Sequence, residues 1–531
     1  MRQRCAFAIL AALGWVTGAL AQSLTTNDLK QIIAQAVWRA TNTAPNAVIA
    51  ITDREGFVLV VWDVNGGAPP PAGDVATAIS KAGTAAFLSS EQHSFSTRTA
   101  GFIILQHFPP LLPLQTNFPL FTPAYTNVAL ARFPIPRGVR NRPTGPLVGV
   151  QNSQLPHSDI NFFKQLVGTP TEAGTNGIPV LNPGSPFGMN GVPGGLPLYK
   201  AGRLVGGIGV VGGGEFFEFN RPTINEDIAL AGQFGYAPDP RIWGSRVFVD
   251  GIRLPYIRGR IPRINTNTVF FSASTPGAVV PPFGFTNAPT TIAYPVVVLG
   301  GVTGEVRNAI IDDPLGKLTA TDVTNILARA AARAANTRAR IRLPRHVPAR
   351  VFISVVNNPG TNGAAQVLGT FRMADATIFS WELAVQKART AVFFSDQANI
   401  PFFPLPTNIA MSTRTVGFLA QALYPPGIRG TEPGPFHLLQ EFISSTTSTN
   451  PPNPRLPNGI TIFPGGFPLY NNAGELIGAI GVSGDGVDED DIIATSGAVG
   501  FLPPPALRAD QFIYRGARLP YAKFPRNPDL R

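Results

Sequence analysis

The chain is 531 residues long, enough for two domains or more, and its hydrophobic fraction of 44% is sufficient for packed cores. Its 53 prolines and 55 glycines are scattered among apolar segments, which points to long ordered loops on a folded scaffold and away from low-complexity disorder. The formal charge of +11 comes mostly from isolated arginines in Pro/Gly loops, with no Lys/Arg stripe interleaved with aromatics; this speaks against nucleic acid and is compatible with anionic ligands or envelope surfaces, although solubility alone would explain it.

Residues 1–21 read as a secretory signal: Arg2 and Arg4, an apolar stretch from Cys5 to Leu20, and a small-x-small site at Ala19-Leu20-Ala21, with cleavage expected before Gln22. A secreted or periplasmic location follows as an expectation. The single cysteine, Cys5, leaves with that segment. Disulfides, cysteine nucleophiles, Cys-ligated zinc and thiolate haem ligation are thereby excluded.

A helix is predicted from the apolar positions Leu29, Ile32, Ile33, Ala36 and Val37, with Thr25 or Thr26 as N-cap and Asp28 in the first turn. A hairpin follows, Ala47–Asp53 and Phe57–Trp62 around Gly56, then a helix containing Lys81-Ala-Gly-Thr84-Ala and the motif Ser96-Thr-Arg-Thr99. After a Pro-rich insertion over about 103–190 comes Pro193-Gly-Gly-Leu-Pro-Leu-Tyr199, a Gly-bearing turn, and the strand Leu204–Val211. An acidic helix start at Asn225-Glu-Asp227 and the tail Arg253-Leu-Pro-Tyr256 close this unit. The glycines of its last strand are read as places where a backbone or a flat ligand approaches closely.

The same order returns. Thr319 and Asp322 open a helix through Ala335; Arg350–Val356 and Val367–Phe371 form a hairpin with a longer turn; Lys387-Ala-Arg-Thr390-Ala and Ser412-Thr-Arg-Thr415 follow. A second insertion over about 419–462 precedes Pro464-Gly-Gly-Phe-Pro-Leu-Tyr470, which lies 271 residues after the first copy, then the strand Glu475–Val482, the acids Asp488–Asp491, and Arg518-Leu-Pro-Tyr521. The expected organisation is repeat 1 over 22–261, an ordered bridge over 262–315, and repeat 2 over 316–531, of α+β class, each repeat an antiparallel sheet flanked by helices.

The doubled Lys-Ala-x-Thr-Ala helix, Pro-Gly-Gly-x-Pro strand and Gly-rich strand resemble the haem-binding GlcG/HbpS-like family, which includes the C-terminal domain of the PduO cobalamin-pathway protein. The resemblance covers about half of the chain beyond the signal and implies a strong tendency to oligomerise, with haem or a related tetrapyrrole as ligand in some members. It also implies a built-in pseudo-dimer.

Candidate ligand-binding residues are Thr84, Arg98, Pro193, Gly194 and Gly195 in the first repeat, and Thr390, Arg414, Pro464, Gly465 and Gly466 in the second. An arginine fork at Arg98 or Arg414 suits a propionate; the competing reading is a structural arginine at a helix end, and for Thr84 and Thr390 it is helix–sheet packing. His93 and His107 are the candidate iron ligands, against core or loop histidines; they align with Ile409 and Leu423, so such a site exists in one repeat only. Tyr199 and Tyr470 are weaker phenolate candidates. The acidic run Asp485–Asp491 lacks EF-hand spacing, and no Gly-x-Ser-x-Gly elbow or Ser-His-Asp set is evident, which points away from an enzyme. Two readings stand: a tandem-domain haem-class binding protein, or a scaffold whose partners are other copies or envelope proteins. An envelope enzyme acting on a small oxidised metabolite ranks third.

Overall fold

The computed structural model describes residues 23–103, 189–214, 221–249, 251–260, 263–264, 269–286, 294–396, 409–421, 423–426, 428, 430–436, 454–457 and 459–523. The expected signal, almost all of the first insertion and much of the second lie outside the described residues, as does His107.

Each half opens on a helix fixed by a capping box. In α1 (Thr26–Ala40) the side chain of Thr25 accepts from the Asp28 amide while Asp28 takes the Thr25 amide; Thr319 and Asp322 do the same for α5 (Ala320–Ala335). These reciprocal bonds satisfy donors that a helix start otherwise leaves orphaned. The first half continues through β1 (Val48–Asp53), β2 (Val58–Asp63), α2 (Ala72–Leu88), α3 (Thr97–Ile103), β3 (Gly195–Lys200), β4 (Arg203–Val211) and α4 (Ile224–Gly232). The hairpin β5 (Phe248–Val249) and β6 (Ile252–Arg253) ends it. The second half repeats the order with β10 (Val351–Asn357), β11 (Val367–Met373), α6 (Phe379–Ser395), α7 (Thr413–Leu419), β12 (Gly466–Tyr470), β13 (Leu476–Gly484), α8 (Val487–Gly497), β14 (Ile513–Tyr514) and β15 (Ala517–Arg518). The α+β class is as expected.

Segments expected to bridge the halves instead widen their sheets. From the 262–315 stretch, β7 (Ala278–Val279) pairs with β2, and β8 (Val296–Leu299) with β9 (Val302–Asn308) extends the edge at β11. The resulting antiparallel sheets have the orders β3-β4-β1-β2-β7 and β12-β13-β10-β11-β9-β8. Strand pairing satisfies backbone groups that a free connector would leave to water, which is why valine-rich pieces dock there.

The sheets are sandwiched: α2 covers one face of the first and α1 with α4 the other, while α6 and the α5–α8 pair do so in the second. Ile32, Ile33, Ile51, Ile208 and Ile228 fill the α1–α4 side of the first repeat. On the opposite side Val61, Ala78, Ile79 and Phe87 belong to a buried cluster continuous with the second repeat's core. The halves are locked further by the β1–β2 turn. Arg54 meets Asp375 at 2.6 Å, and Glu55 receives both terminal nitrogens of the buried Arg307 at 3.0 Å each. A fully formed pair of this kind fixes register; losing one partner leaves a buried charge.

The strand glycines do not face a ligand. A Cβ at Gly207 would overlap the Ala82 carbonyl oxygen, one at Gly209 that of Ala78, and one at Gly481 that of Ala384. They let α2 and α6 lie with backbone against backbone on β4 and β13. Gly481→Ala is therefore expected to cost about 3 kcal/mol, lowering the thermal midpoint by roughly 4 °C. Gly67→Ala, where nothing stands within 4 Å of the new Cβ, should stay within about 0.5 kcal/mol of the parent. Calorimetric scans of both variants check this.

Candidate functional site

Seating the helix on glycines brings three recurrent motifs together. In Ser96-Thr-Arg-Thr99 every side chain has a task. Ser96 donates to the Tyr256 carbonyl, Thr99 Oγ1 donates to the Pro255 carbonyl at 2.7 Å, and Thr97 Oγ1 accepts the Gly195 amide at 2.9 Å. Arg98 forks onto Glu226, with Nε and Nη2 each 2.7 Å from a carboxylate oxygen, and also donates to the Arg221 carbonyl at 2.8 Å. The second copy matches. Ser412 donates to the Tyr521 carbonyl at 2.5 Å, Thr415 Oγ1 to the Pro520 carbonyl at 2.6 Å, and Thr413 Oγ1 accepts the Gly466 amide at 2.8 Å. Arg414 reaches Asp491 at 2.8 Å and Asp488 at 2.7 Å. The Leu-Pro-Tyr tails are thus the acceptors for the motif's hydroxyls, and both arginines are spent on the acidic helix starts. Planar charge-assisted pairs of this kind fix orientation.

Thr84 Oγ1 accepts the Asn190 amide at 2.8 Å and Thr390 Oγ1 the Thr461 amide at 3.0 Å, so both hold the chain entering the Pro-Gly-Gly turn. That turn needs its glycines: Gly194 and Gly465 have φ of +127° and +119°, and a Cβ at Gly195 or Gly466 would overlap the carbonyl of Lys81 or Lys387. Pro193 and Pro464 lead into these turns. The lysines are buried beside them. Lys81 Nζ donates to the Val210 carbonyl at 3.0 Å; Lys387 Nζ donates to the Val482 carbonyl at 2.8 Å and to Asp490 Oδ2 at 2.8 Å. Gly194 lies against Lys81 and Asn225 as Gly465 lies against Lys387 and Asp490, which makes Asn225 and Asp490 counterparts.

The second-repeat assembly opens on a cavity of about 560 Å³ between the halves. Phe379, Leu383, Phe418 and Phe463 of the second repeat face Leu88, Phe95 and Leu254 of the first across it, with Arg340, Arg414, Asp488 and Asp490 as charged members of the wall. Its size and apolar lining with few polar groups are those of a small-molecule site. Burial pushes Asp490 up to about 7 against the opposing pull of Lys387, and burial also lowers Lys387.

His93 lines this cavity, but as a structural residue. Its Nδ1 is 2.9 Å from Ser90 Oγ and its Nε2 is 3.1 Å from the Leu88 carbonyl, so the ring is engaged at both nitrogens, which a metal bond would have to disrupt. Burial, reinforced by nearby Arg342, pushes it down to about 3. Tyr199 donates to the Ser90 carbonyl at 2.7 Å, and burial raises it and Tyr470 well above the ordinary tyrosine range, which disfavours a phenolate in either. The residue pair missed in the sequence is Lys387–Asp490. Its available signal was a lysine repeated on a helix face otherwise made of Ala and Thr.

The halves therefore share one α+β unit with a binding-type cavity on the second. Residues 323–499 match the family model described as haem degrading protein HbpS-like. No curated protein matches the chain. Among solved structures it is similar to a PduOC–haem complex, at 25% identity over 35% of this chain and 96% of that one with a TM-score of 0.23. It is also similar to the Klebsiella pneumoniae protein ORFY of the DUF336 family model, at 20% identity over 34% and 88% with a TM-score of 0.22. The resemblance read from the motifs thus holds over the second repeat.

A neutral histidine buried on folding stabilises the protein above its unfolded value near 6.5, and that contribution is lost as pH falls from there toward about 3. The slope is at most about 1.4 kcal/mol per pH unit. In thermal scans between pH 7.5 and 4.5, His93→Gln should lose less stability on acidification than the parent, and identical slopes would refute the buried neutral state.

Proposed function

We propose that this is an exported tandem-repeat binding protein whose inter-repeat cavity takes haem or a related flat, carboxylate-bearing ligand, for scavenging or sensing. The observation that carries it is the aromatic cavity built largely by the segment that matches the haem-degrading family. Phe379, Phe418 and Phe463 suit the faces of a planar ring, and Arg340 at the wall suits a carboxylate. The iron is not served by these residues. His93, the imidazole among the described residues of the wall, is engaged at both nitrogens. Affinity then rests on ring burial and carboxylate contacts instead of an iron–protein bond.

Export rests on the Arg2/Arg4 signal pattern, and assembly into homo-oligomers or with envelope proteins on the family resemblance. A scaffold role is the second reading, favoured by the hydroxyls and arginines of both Ser-Thr-Arg-Thr motifs being spent within the protein.

Titration of the purified protein with haemin and with iron-free protoporphyrin IX decides between them. Both porphyrins should saturate one site, with Kd in the order of micromolar and within about threefold of each other. Leu383→Trp, which fills the cavity, should weaken both at least about tenfold. Failure of both to saturate would leave the scaffold reading; binding of haemin alone would show that iron is ligated after all.

A further inference from the structure

The Lys387–Asp490 pair is where the two repeats differ in chemistry. Asp490 is 3% exposed and forms part of the cavity wall; its Oδ2 holds the Lys387 ammonium at 2.8 Å, while its buried Oδ1 meets no donor. In the first repeat the same place is held by Asn225, whose Oδ1 accepts the Gly213 amide at 2.8 Å and whose Nδ2 donates to the Gly214 carbonyl at 3.1 Å. The fold therefore accommodates an uncharged carboxamide beside this lysine.

We propose that Asp490 recognises a carboxylate of the bound ligand as a neutral carboxyl group, donating a hydrogen bond from Oδ1, so that each ligand is taken up together with one proton. The proposal rests on the cavity being the site of a carboxylate-bearing ligand. Lys387 is the cation behind Asp490, 2.8 Å from its Oδ2, and two buried carboxylates against one ammonium cannot both stay ionised. A proton from solvent neutralises Asp490, the ligand carboxylate becomes the counter-ion of Lys387, and the buried charge is conserved.

The groups around Asp490 agree with this balance. On its own segment Asp485, Asp488, Glu489 and Asp491 are all acids, and Glu489 and Asp485 oppose its ionisation. From α7, Arg414 has its Nε and Nη2 taken by Asp491 and Asp488. Lys523 in the tail is paired with Asp488 at 2.9 Å, Arg342 with Asp485, and Arg340 stands on the cavity wall. His93, across the cavity, is neutral down to about pH 3. Asp490 is thus the wall residue poised to change charge near neutrality.

The test measures protoporphyrin IX affinity from pH 6 to 9 for the parent and for Asp490→Asn. The parent should lose about tenfold in affinity per pH unit above pH 7, and calorimetry at pH 8.5 in buffers of different ionisation enthalpy should register uptake of close to one proton per ligand. Asp490→Asn, whose amide donates without titrating, should bind with the parent's pH 6 affinity across the range. Since the porphyrin's own ionisation is common to both proteins, the difference between the two profiles reports Asp490. A parent profile as flat as the variant's, or a variant as steep as the parent, overturns the proposal; the parent's proton count does so independently should the variant fold poorly. Absence of parent binding even at pH 6 would instead defeat the cavity assignment on which the proposal rests.

Discussion

The close backbone contact between one helix and one strand governs the rest of this molecule. At Gly207, Gly209 and Gly481 the strand carries no side chain, and α2 or α6 drops onto the sheet until its carbonyls occupy the space that side chains would take. Only at that depth does a lysine on the helix reach a carbonyl of the same strand, that of Val210 or Val482. The Pro-Gly-Gly turn must then pass against the lysine's own carbonyl, which only glycine permits. Arg98 and Arg414 next clamp the following helix to this nucleus through Glu226 and Asp491. A buried acid cluster would be unstable without those forks, since ionised carboxylates lose far more solvation on burial than an unassisted hydrogen bond returns.

Much of this was legible in the residues. Capping boxes at Thr25/Asp28 and Thr319/Asp322, the hairpins and the repeat order all follow from local rules, because a cap or a turn is satisfied by neighbours three or four residues away. Partners distant in the chain were not legible. Arg98 recurs visibly, yet its carboxylate lies 128 residues on, and nothing local distinguishes an arginine held by Glu226 from one awaiting a propionate. The strand glycines do mark sites of close approach, but the approaching group is the protein's own helix. His93 misled in a different way: a histidine near a conspicuous motif suggests a ligand, whereas its two hydrogen bonds lie within the same turn. The hairpin of β8 and β9 joins the sheet only through β9, whose partner β11 is more than 60 residues away, a pairing no local rule reveals.

Repetition with divergence is more informative than either half alone. Both copies keep the lysine, the threonines, the arginine and the tail carbonyls, so those contacts belong to the fold. The inter-repeat contacts are one-sided. The β1–β2 turn supplies Arg54 and Glu55 to the second half, whereas the longer β10–β11 turn of the second half bonds within its own repeat, Asn357 to Gln366 and Asn358 to Leu476. A cavity opens beside the second half's acidic helix, walled from the first half by the end of α2, by α3 and by the β5–β6 hairpin.

Against this background the aspartate at 490 calls for a reason beyond stability. A buried ion pair returns little net free energy, because the Coulombic gain is set against desolvation of both ions, and a neutral partner of similar shape is often as stabilising. The first repeat has such a partner in Asn225, tied into its loop by two backbone hydrogen bonds. The second repeat instead keeps a carboxylate with an unmatched oxygen, surrounded by other acids, on the wall of an apolar cavity. Unsatisfied buried polar atoms carry a penalty of about 1–3 kcal/mol each, a strain that folds tolerate mainly where a function draws on it. That penalty falls on the cavity wall of the second repeat, where the proposed ligand carboxylate would relieve it, whereas the lysine, threonine and arginine contacts recur in both repeats.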